Sequence, residues 1–269
     1  MTEWPHIDSI PTDLCPPAMT AGMPSPGQRV RQVRPEYRHA EVHQSLYLPV
    51  DWHTGCSFPV IVEYAGNHYN DGYTGKVEDC CLGYGLSGGK GFIWACLPYI
   101  SNDHQRNQMT WWGDVAATVE YCKKTVPDIC REYGGNPDAV ILAGFSRGAI
   151  ACNYLGLHDD EIASLWCAFV AHSHYDGVKT DWGYPSADRD SAHRRFQRLK
   201  NRPQFISSEG SGIGEIRQYL EGLTEFQTQQ SSFTLMPLPY VDHTDTWVLR
   251  DIPERQRVRE WLKKAILAK

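Results

Sequence analysis

Three apolar runs constrain this chain more than anything else in it: Phe58-Pro-Val-Ile-Val-Glu-Tyr64, Phe92-Ile-Trp-Ala-Cys-Leu97 and Ala139-Val-Ile-Leu-Ala-Gly144. A strand with one wet face alternates apolar and polar residues. Runs that do not alternate belong to strands buried on both faces. Between and after them the pattern turns helical. Val115, Thr118, Val119, Cys122, Val126, Ile129 and Cys130 recur at spacings of three and four across residues 111–133, interrupted only by Pro127, and Gly134-Gly-Asn-Pro-Asp138 stops the helix. The alternation continues with a helix over 147–157, a strand over 165–171, a helix over 186–200, a strand over 203–208, a helix over 215–226, a strand over 233–238 and a closing helix from Pro253. Connections of that length are too long for hairpins. They predict an α/β fold with a mostly parallel sheet of about eight strands and helices on both faces. One half-buried antiparallel strand, Val42 to Leu48, precedes the series.

No repeat and no second boundary interrupts residues 29–269, so they read as one domain. Six of the 17 prolines fall within residues 1–28. That stretch reads as an irregular surface arm without helix or sheet ladders. Residues 68–91, rich in Gly, Tyr and Asp, read as a structured loop.

Charge narrows the function classes. Twenty-six basic against 32 acidic side chains give a net charge of −6, which is not the footprint of a nucleic-acid binder. No apolar run approaches the 18 or so residues of a membrane span. The start, Met1-Thr-Glu-Trp-Pro-His6, has neither the basic nor the apolar region of a signal peptide. Nine cysteines without a Cys-x-x-Cys fit a reduced, cytoplasmic protein.

Gly144-Phe-Ser146-Arg-Gly148 stands between a buried strand and a helix. There the backbone must turn so sharply that only small neighbours fit. The turn lifts Ser146 Oγ above the sheet edge, and the helix N-terminus aims free N–H groups at a developing oxyanion. Through this motif in this setting, residues 38–268 resemble the α/β-hydrolase superfamily. The resemblance implies a serine, acid, histidine order along the chain. His243, in Tyr240-Val-Asp-His-Thr-Asp245 after the last predicted strand, is placed to act as general base and acid. The acid is expected after the strand over 203–208, in Glu209-Gly-Ser-Gly-Ile-Gly-Glu215, where no aspartate occupies the usual offset. Glu215 is the favoured candidate. Glu209 and Asp176, the latter in His172-Ser-His-Tyr-Asp176, are alternatives, and a glutamate opening a helix also suits the helix dipole without catalysis.

The resemblance further implies an oxyanion hole built from the Arg147 N–H and an N–H of Gly66 or Asn67, the turn after the strand over 58–64. Arginine after the nucleophile is similar to the elbow of glucuronoyl esterases, although capping the elbow or pairing with a carboxylate explains it more simply.

Other clusters read more plainly. His172, His174 and Asp176 are too few for a zinc site without a further ligand. The glycines of 83–91 fit neither Walker A nor the dinucleotide fingerprint. The basic stretch over 189–202 reads as a solvated helix face. Residues 172–185 are the one cap-like insertion. Trp94, Trp111, Trp112, Trp182 and Trp247, with Tyr69, Tyr73 and Tyr84, are mostly core. Those near strand ends would suit a flat substrate face. The expectation is a carboxylic ester hydrolase using an acyl-enzyme and no metal or organic cofactor, acting on a small-molecule or oligosaccharide ester of carbohydrate or aryl type. A serine peptidase resembling the prolyl-oligopeptidase catalytic domain is the alternative, and a non-catalytic binding protein on the same scaffold is a third.

Overall fold

A computed structural model describes residues 4–70 and 72–267. Its nine strands form one sheet in the order β1-β2-β3-β5-β4-β6-β7-β8-β9. They are β1 Met19–Thr20, β2 Arg29–Gln32, β3 Gln44–Tyr47, β4 Phe58–Tyr64, β5 Ile93–Leu97, β6 Gly135–Phe145, β7 Ala168–His172, β8 Gln204–Glu209 and β9 Phe233–Leu238. From β5 onward through β4 to β9 every pairing is parallel, while β3 runs antiparallel to both β2 and β5. The three apolar runs are the central strands β4, β5 and β6, and Val60 to Val62, Ile93 to Leu97 and Val140 to Ala143 are fully buried.

Among the described residues eight α-helices accompany the strands: α1 Leu82–Ser87, α2 Val115–Tyr133, α3 Arg147–Tyr154, α4 Asp160–Ala163, α5 Arg189–Phe196, α6 Gly212–Glu221, α7 Thr224–Thr228 and α8 Pro253–Ala265. The Asp114 side chain caps α2 by accepting from Ala117 N at 2.9 Å, and left-handed Gly134 ends it. No helix is long and apolar enough to cross a membrane among the described residues.

Three expectations change. The strand expected to be half-buried, β3, is buried at every residue from Gln44 to Tyr47, because it lies inside the sheet between β2 and β5. Residues 68–91 are not all loop, because Leu82–Ser87 forms α1. Its glycines serve close packing: a Cβ on Gly83 would overlap the Trp94 ring, and one on Gly85 would overlap Val248. The buried Glu63 carboxyl group accepts from Leu82 N at 3.2 Å and Gly83 N at 2.9 Å, which satisfies two free N–H groups at the helix start.

The Pro-rich arm does carry a ladder. Met19 and Thr20 lie in a proline-free gap between Pro17 and Pro24, and they pair in parallel with Arg29 and Val30. The arm is also anchored to the last third of the chain. Asp8 meets Arg250 at 2.6 Å, and Asp13 meets Arg255 at 2.5 and 2.8 Å.

Candidate active site

The elbow is built by steric exclusion. Ser146, between β6 and α3, holds φ 54° and ψ −116°, a conformation that L-residues rarely adopt. A Cβ on Gly144 would overlap the Gly148 carbonyl, and a Cβ on Gly148 would overlap Tyr64 O at the end of β4. Glycine at both positions lets the first turn of α3 lie directly on the strand ends. Gly148→Ala is therefore expected to cost about 2 kcal/mol or more through overpacking against rigid backbone. At this chain length that lowers Tm by about 5 °C or more. Gly214→Ala is the control, since its Cβ meets open space in α6. A thermal melt in which the two variants behave alike would refute the packing account.

Ser146 Oγ lies 3.1 Å from His243 Nε2, and His243 Nδ1 lies 2.7 Å from Glu209 Oε1. A carboxylate on Nδ1 draws the ring proton there and leaves the Nε2 lone pair facing the serine. Burial pushes the Glu209 carboxyl up. The His243 hydrogen bond, the neighbouring His172 and the Ser173 hydroxyl outweigh this and hold it at about 2. The carboxylate facing His243 is thus that of Glu209 at the end of β8, not Glu215. Glu215 is exposed in the first turn of α6, where a negative charge suits the helix dipole. It lines a cavity of about 330 Å³ together with Glu209, His174 and Trp182, but no hydrogen bond joins it to His243 among the described residues. Asp176 is held elsewhere. It is buried, with Arg195 Nε at 2.8 Å from one oxygen and Nη2 at 2.9 Å from the other. The same pair corrects the reading of the basic stretch, because Arg195 is only 7% exposed.

Several residues that support this line were not singled out from the sequence. Ser173 follows β7 at φ 84°. Its Oγ stands 2.7 Å from both Glu209 oxygens and 2.7 Å from His243 Nδ1. His172, fully buried and lowered to about 4 by burial, stays neutral and donates from Nε2 to Thr244 O at 2.9 Å. Its Nδ1 faces Ser207 Oγ at 3.1 Å. His172 O also accepts from Ser146 N at 3.0 Å, so one residue ties the serine turn to the His243 loop. On the other side of that loop, Asp242 accepts from Ile7 N at 2.5 Å and lies 2.8 Å from His6 Nδ1. The sequence offers His172 only as one member of a set too small for a metal site. Its place at a strand end was the available signal, whereas nothing local in the sequence marks Ser173. Among the described residues no group of three His, Cys, Asp or Glu side chains is placed to hold a metal ion.

The oxyanion candidates converge on the same turn. Arg147 opens α3, so its N–H has no partner within the helix. A Cβ on Gly66 would stand 3.4 Å from Ser146 Cβ, which brings the turn after β4 against the serine. The Asn67 side chain faces away from that role, with Oδ1 accepting from Trp111 N at 2.7 Å. The Arg147 guanidinium is buried and pairs with no carboxylate among the described residues.

Aromatic rings stand around these groups. Trp182 lies 4.9 Å from His174 and 5.4 Å from Trp111, ring centroid to centroid, and His174 and Tyr73 lie 5.1 and 6.0 Å from His243. Trp94, Trp112 and Trp247 are buried in the core. The segment between β7 and α5 carries Trp182 and Lys179 into the cavity wall, as a short cap would.

No protein-family model and no curated protein matches the chain. Solved structures do. A thermostable esterase matches at 13% identity and TM-score 0.55, over 88% of this chain and 62% of the other. The AtxE2 isopeptidase, an S527A variant with astexin3-dC4 bound, matches at 16% and 0.53, over 90% of this chain and 40% of that one. The feruloyl esterase module from Clostridium thermocellum, an S954A mutant complexed with sinapinate, matches at 13% and 0.54, over 89% of each. The chain thus spans less than two thirds of the first two. At these identities the likeness speaks to architecture. With a strand order that keeps β3 to β9 around the serine turn, the chain has the α/β-hydrolase fold.

Proposed function

We propose that this protein is a serine hydrolase acting on carboxylic esters. Ser146 Oγ attacks the ester carbonyl while His243 Nε2 takes its proton. The tetrahedral oxyanion is met by the N–H groups of Arg147 and Asn67. Collapse expels the alcohol, which receives the proton from His243, and leaves Ser146 acylated. Water then attacks the acyl carbonyl while His243 takes its proton; collapse breaks the acyl–Oγ bond, His243 returns that proton to Ser146 Oγ, and the carboxylic acid is released. Glu209 keeps the imidazole oriented and stabilises the imidazolium. The observation that carries this reading is the unbroken line Ser146–His243–Glu209, at 3.1 and 2.7 Å, starting from a serine in a strained strand-to-helix turn.

The aromatic rim of Trp111, Trp182, His174 and Tyr73 favours an ester with a flat face, aryl or carbohydrate. The likeness to a feruloyl esterase module points the same way. The same chemical groups cleave amides, and one similar structure is an isopeptidase, so the test sets the two substrates side by side. p-Nitrophenyl acetate and butyrate are expected to turn over, an aminoacyl p-nitroanilide far more slowly, and a fluorophosphonate is expected to label one serine, mapped to Ser146 by peptide mass spectrometry. Faster amide turnover would replace the esterase reading with the peptidase one. No turnover and no label would replace both with a binding protein.

A further inference from the structure

Gly66 O and Asn67 N–H belong to a single peptide unit, and Arg147 grips that unit from behind. No described peptide bond is cis, so the two groups project in opposite directions from one rigid plane. Arg147 Nη2 donates to Gly66 O at 2.8 Å. The preceding peptide is held in the same manner, with Tyr99 Oη donating to Ala65 O at 2.9 Å. These two grips form one unit, because the guanidinium lies 3.8 Å from the Tyr99 ring centroid. Arg147 Nη1 donates in addition to Gln108 O at 3.3 Å and to Trp111 O, and Trp111 N closes the circuit onto Asn67 Oδ1.

Two features argue that this is more than a staple. Arg147 is 1% exposed, and burial pushes its guanidinium down only to about 10, so it stays charged at neutral pH. A buried cation held by carbonyls and a ring face, without a carboxylate, is costly. One of the three carbonyls it holds, that of Gly66, is the one whose far side is the Asn67 N–H. A cation on a peptide oxygen polarises the whole amide and makes its N–H a stronger donor. It also fixes the plane, so the donor need not reorganise as charge develops on the substrate.

We infer that Arg147 is a positioning residue for the oxyanion hole, supplying one donor with its own N–H and aligning and polarising the other, Asn67 N–H, through its guanidinium. This rests on the ester-hydrolase reading above. Arginine's planar fork reaches Gly66 O from Nη2 and Trp111 O from Nη1 at once, a two-nitrogen geometry that lysine's single nitrogen does not reproduce.

The test compares wild type, Arg147→Lys, Arg147→Met and Tyr99→Phe. It measures kcat and KM on p-nitrophenyl butyrate, Ki for a trifluoromethyl ketone that adds to the serine and forms the oxyanion, and Tm. Arg147→Met is expected to lower kcat by about 10–100-fold, as loss of part of an oxyanion donor does. KM should stay within about threefold, because the donor acts mainly on the transition state. Ki for the ketone should rise in step with the fall in kcat, with Arg147→Lys intermediate and Tyr99→Phe showing a smaller loss of the same pattern. A purely structural arginine would lower Tm while the folded fraction kept wild-type kcat and ketone affinity, and that result overturns the proposal. If Arg147→Met fails to fold, unchanged kcat and Ki in both Arg147→Lys and Tyr99→Phe overturn it equally. A wild type inert to ester and to fluorophosphonate overturns the hydrolase reading together with this one. An active wild type with unimpaired variants overturns the positioning role alone.

Discussion

Ser146→Ala is expected to reduce ester turnover by about 10⁴–10⁶-fold and to abolish fluorophosphonate labelling, since removing the nucleophile of such a line leaves only binding and oxyanion stabilisation. The fold should survive, because Ser146 Oγ makes its one described hydrogen bond to His243. Stability gives a second, independent readout. Ser146 sits at φ 54° and ψ −116°, and alanine carries the same Cβ and the same strain. Glycine does not. Ser146→Gly is therefore expected to be as inactive as Ser146→Ala yet more stable than it, by about 1–3 kcal/mol. At this chain length each kcal/mol is worth roughly 2–4 °C in Tm. Residual turnover near wild type in Ser146→Ala would move the chemistry to another residue. Equal melting of the alanine and glycine variants would show that the turn stores no strain.

The serine turn and His243 were legible because each is bracketed by strong periodic signals: a non-alternating strand before Gly144 and a helix after Gly148, then the last strand before Tyr240. The glycines hid the rest. In 210–214 they read as a long connection that would let Glu215 swing back to His243. Instead α6 begins at Gly212, which draws Glu215 into a helical turn and leaves Glu209, the last residue of β8, at the sheet edge. Gly83 and Gly85 concealed α1 in the same way, since low helix propensity says nothing of the flat contacts with Trp94 and Val248 that favour a helix there. Ser173 was invisible for a different reason. It meets Glu209 only because β7 and β8 pair with His172 opposite Ser207, and register between parallel strands is a property of the assembled sheet. Composition misleads at the arm because a proline removes only its own N–H donor: Pro26 still bridges Leu48, Pro237 stands opposite Ser208 within β9, and the proline-free pair Met19–Thr20 joins Arg29–Val30 outright.

That distinction between the two glutamates has a sharp consequence. Glu209→Gln is expected to lower kcat by about 10²–10⁴-fold, because an amide facing Nδ1 neither fixes the productive tautomer nor stabilises the imidazolium. Glu215→Gln should stay within about twofold of wild type, since its exposed side chain is no partner of His243. Glu209→Asp, one methylene shorter, should fall between them. The low-pH behaviour follows from the same contacts. Held at about 2 against an ordinary value of 4.5, Glu209 binds its proton less readily in the folded state than in the unfolded one. Its stabilising contribution is therefore complete above the ordinary glutamate range and is lost as pH falls toward 2. Wild type should lose Tm between about pH 5 and pH 3 more steeply than Glu209→Gln, which has no proton to take up there. The two measurements bear on different links. A Glu209→Gln enzyme with full kcat would remove this carboxylate from the mechanism whatever its effect on acid stability. A large loss confined to Glu215→Gln would mean that α6 shifts in the working enzyme to bring the second glutamate to the imidazole.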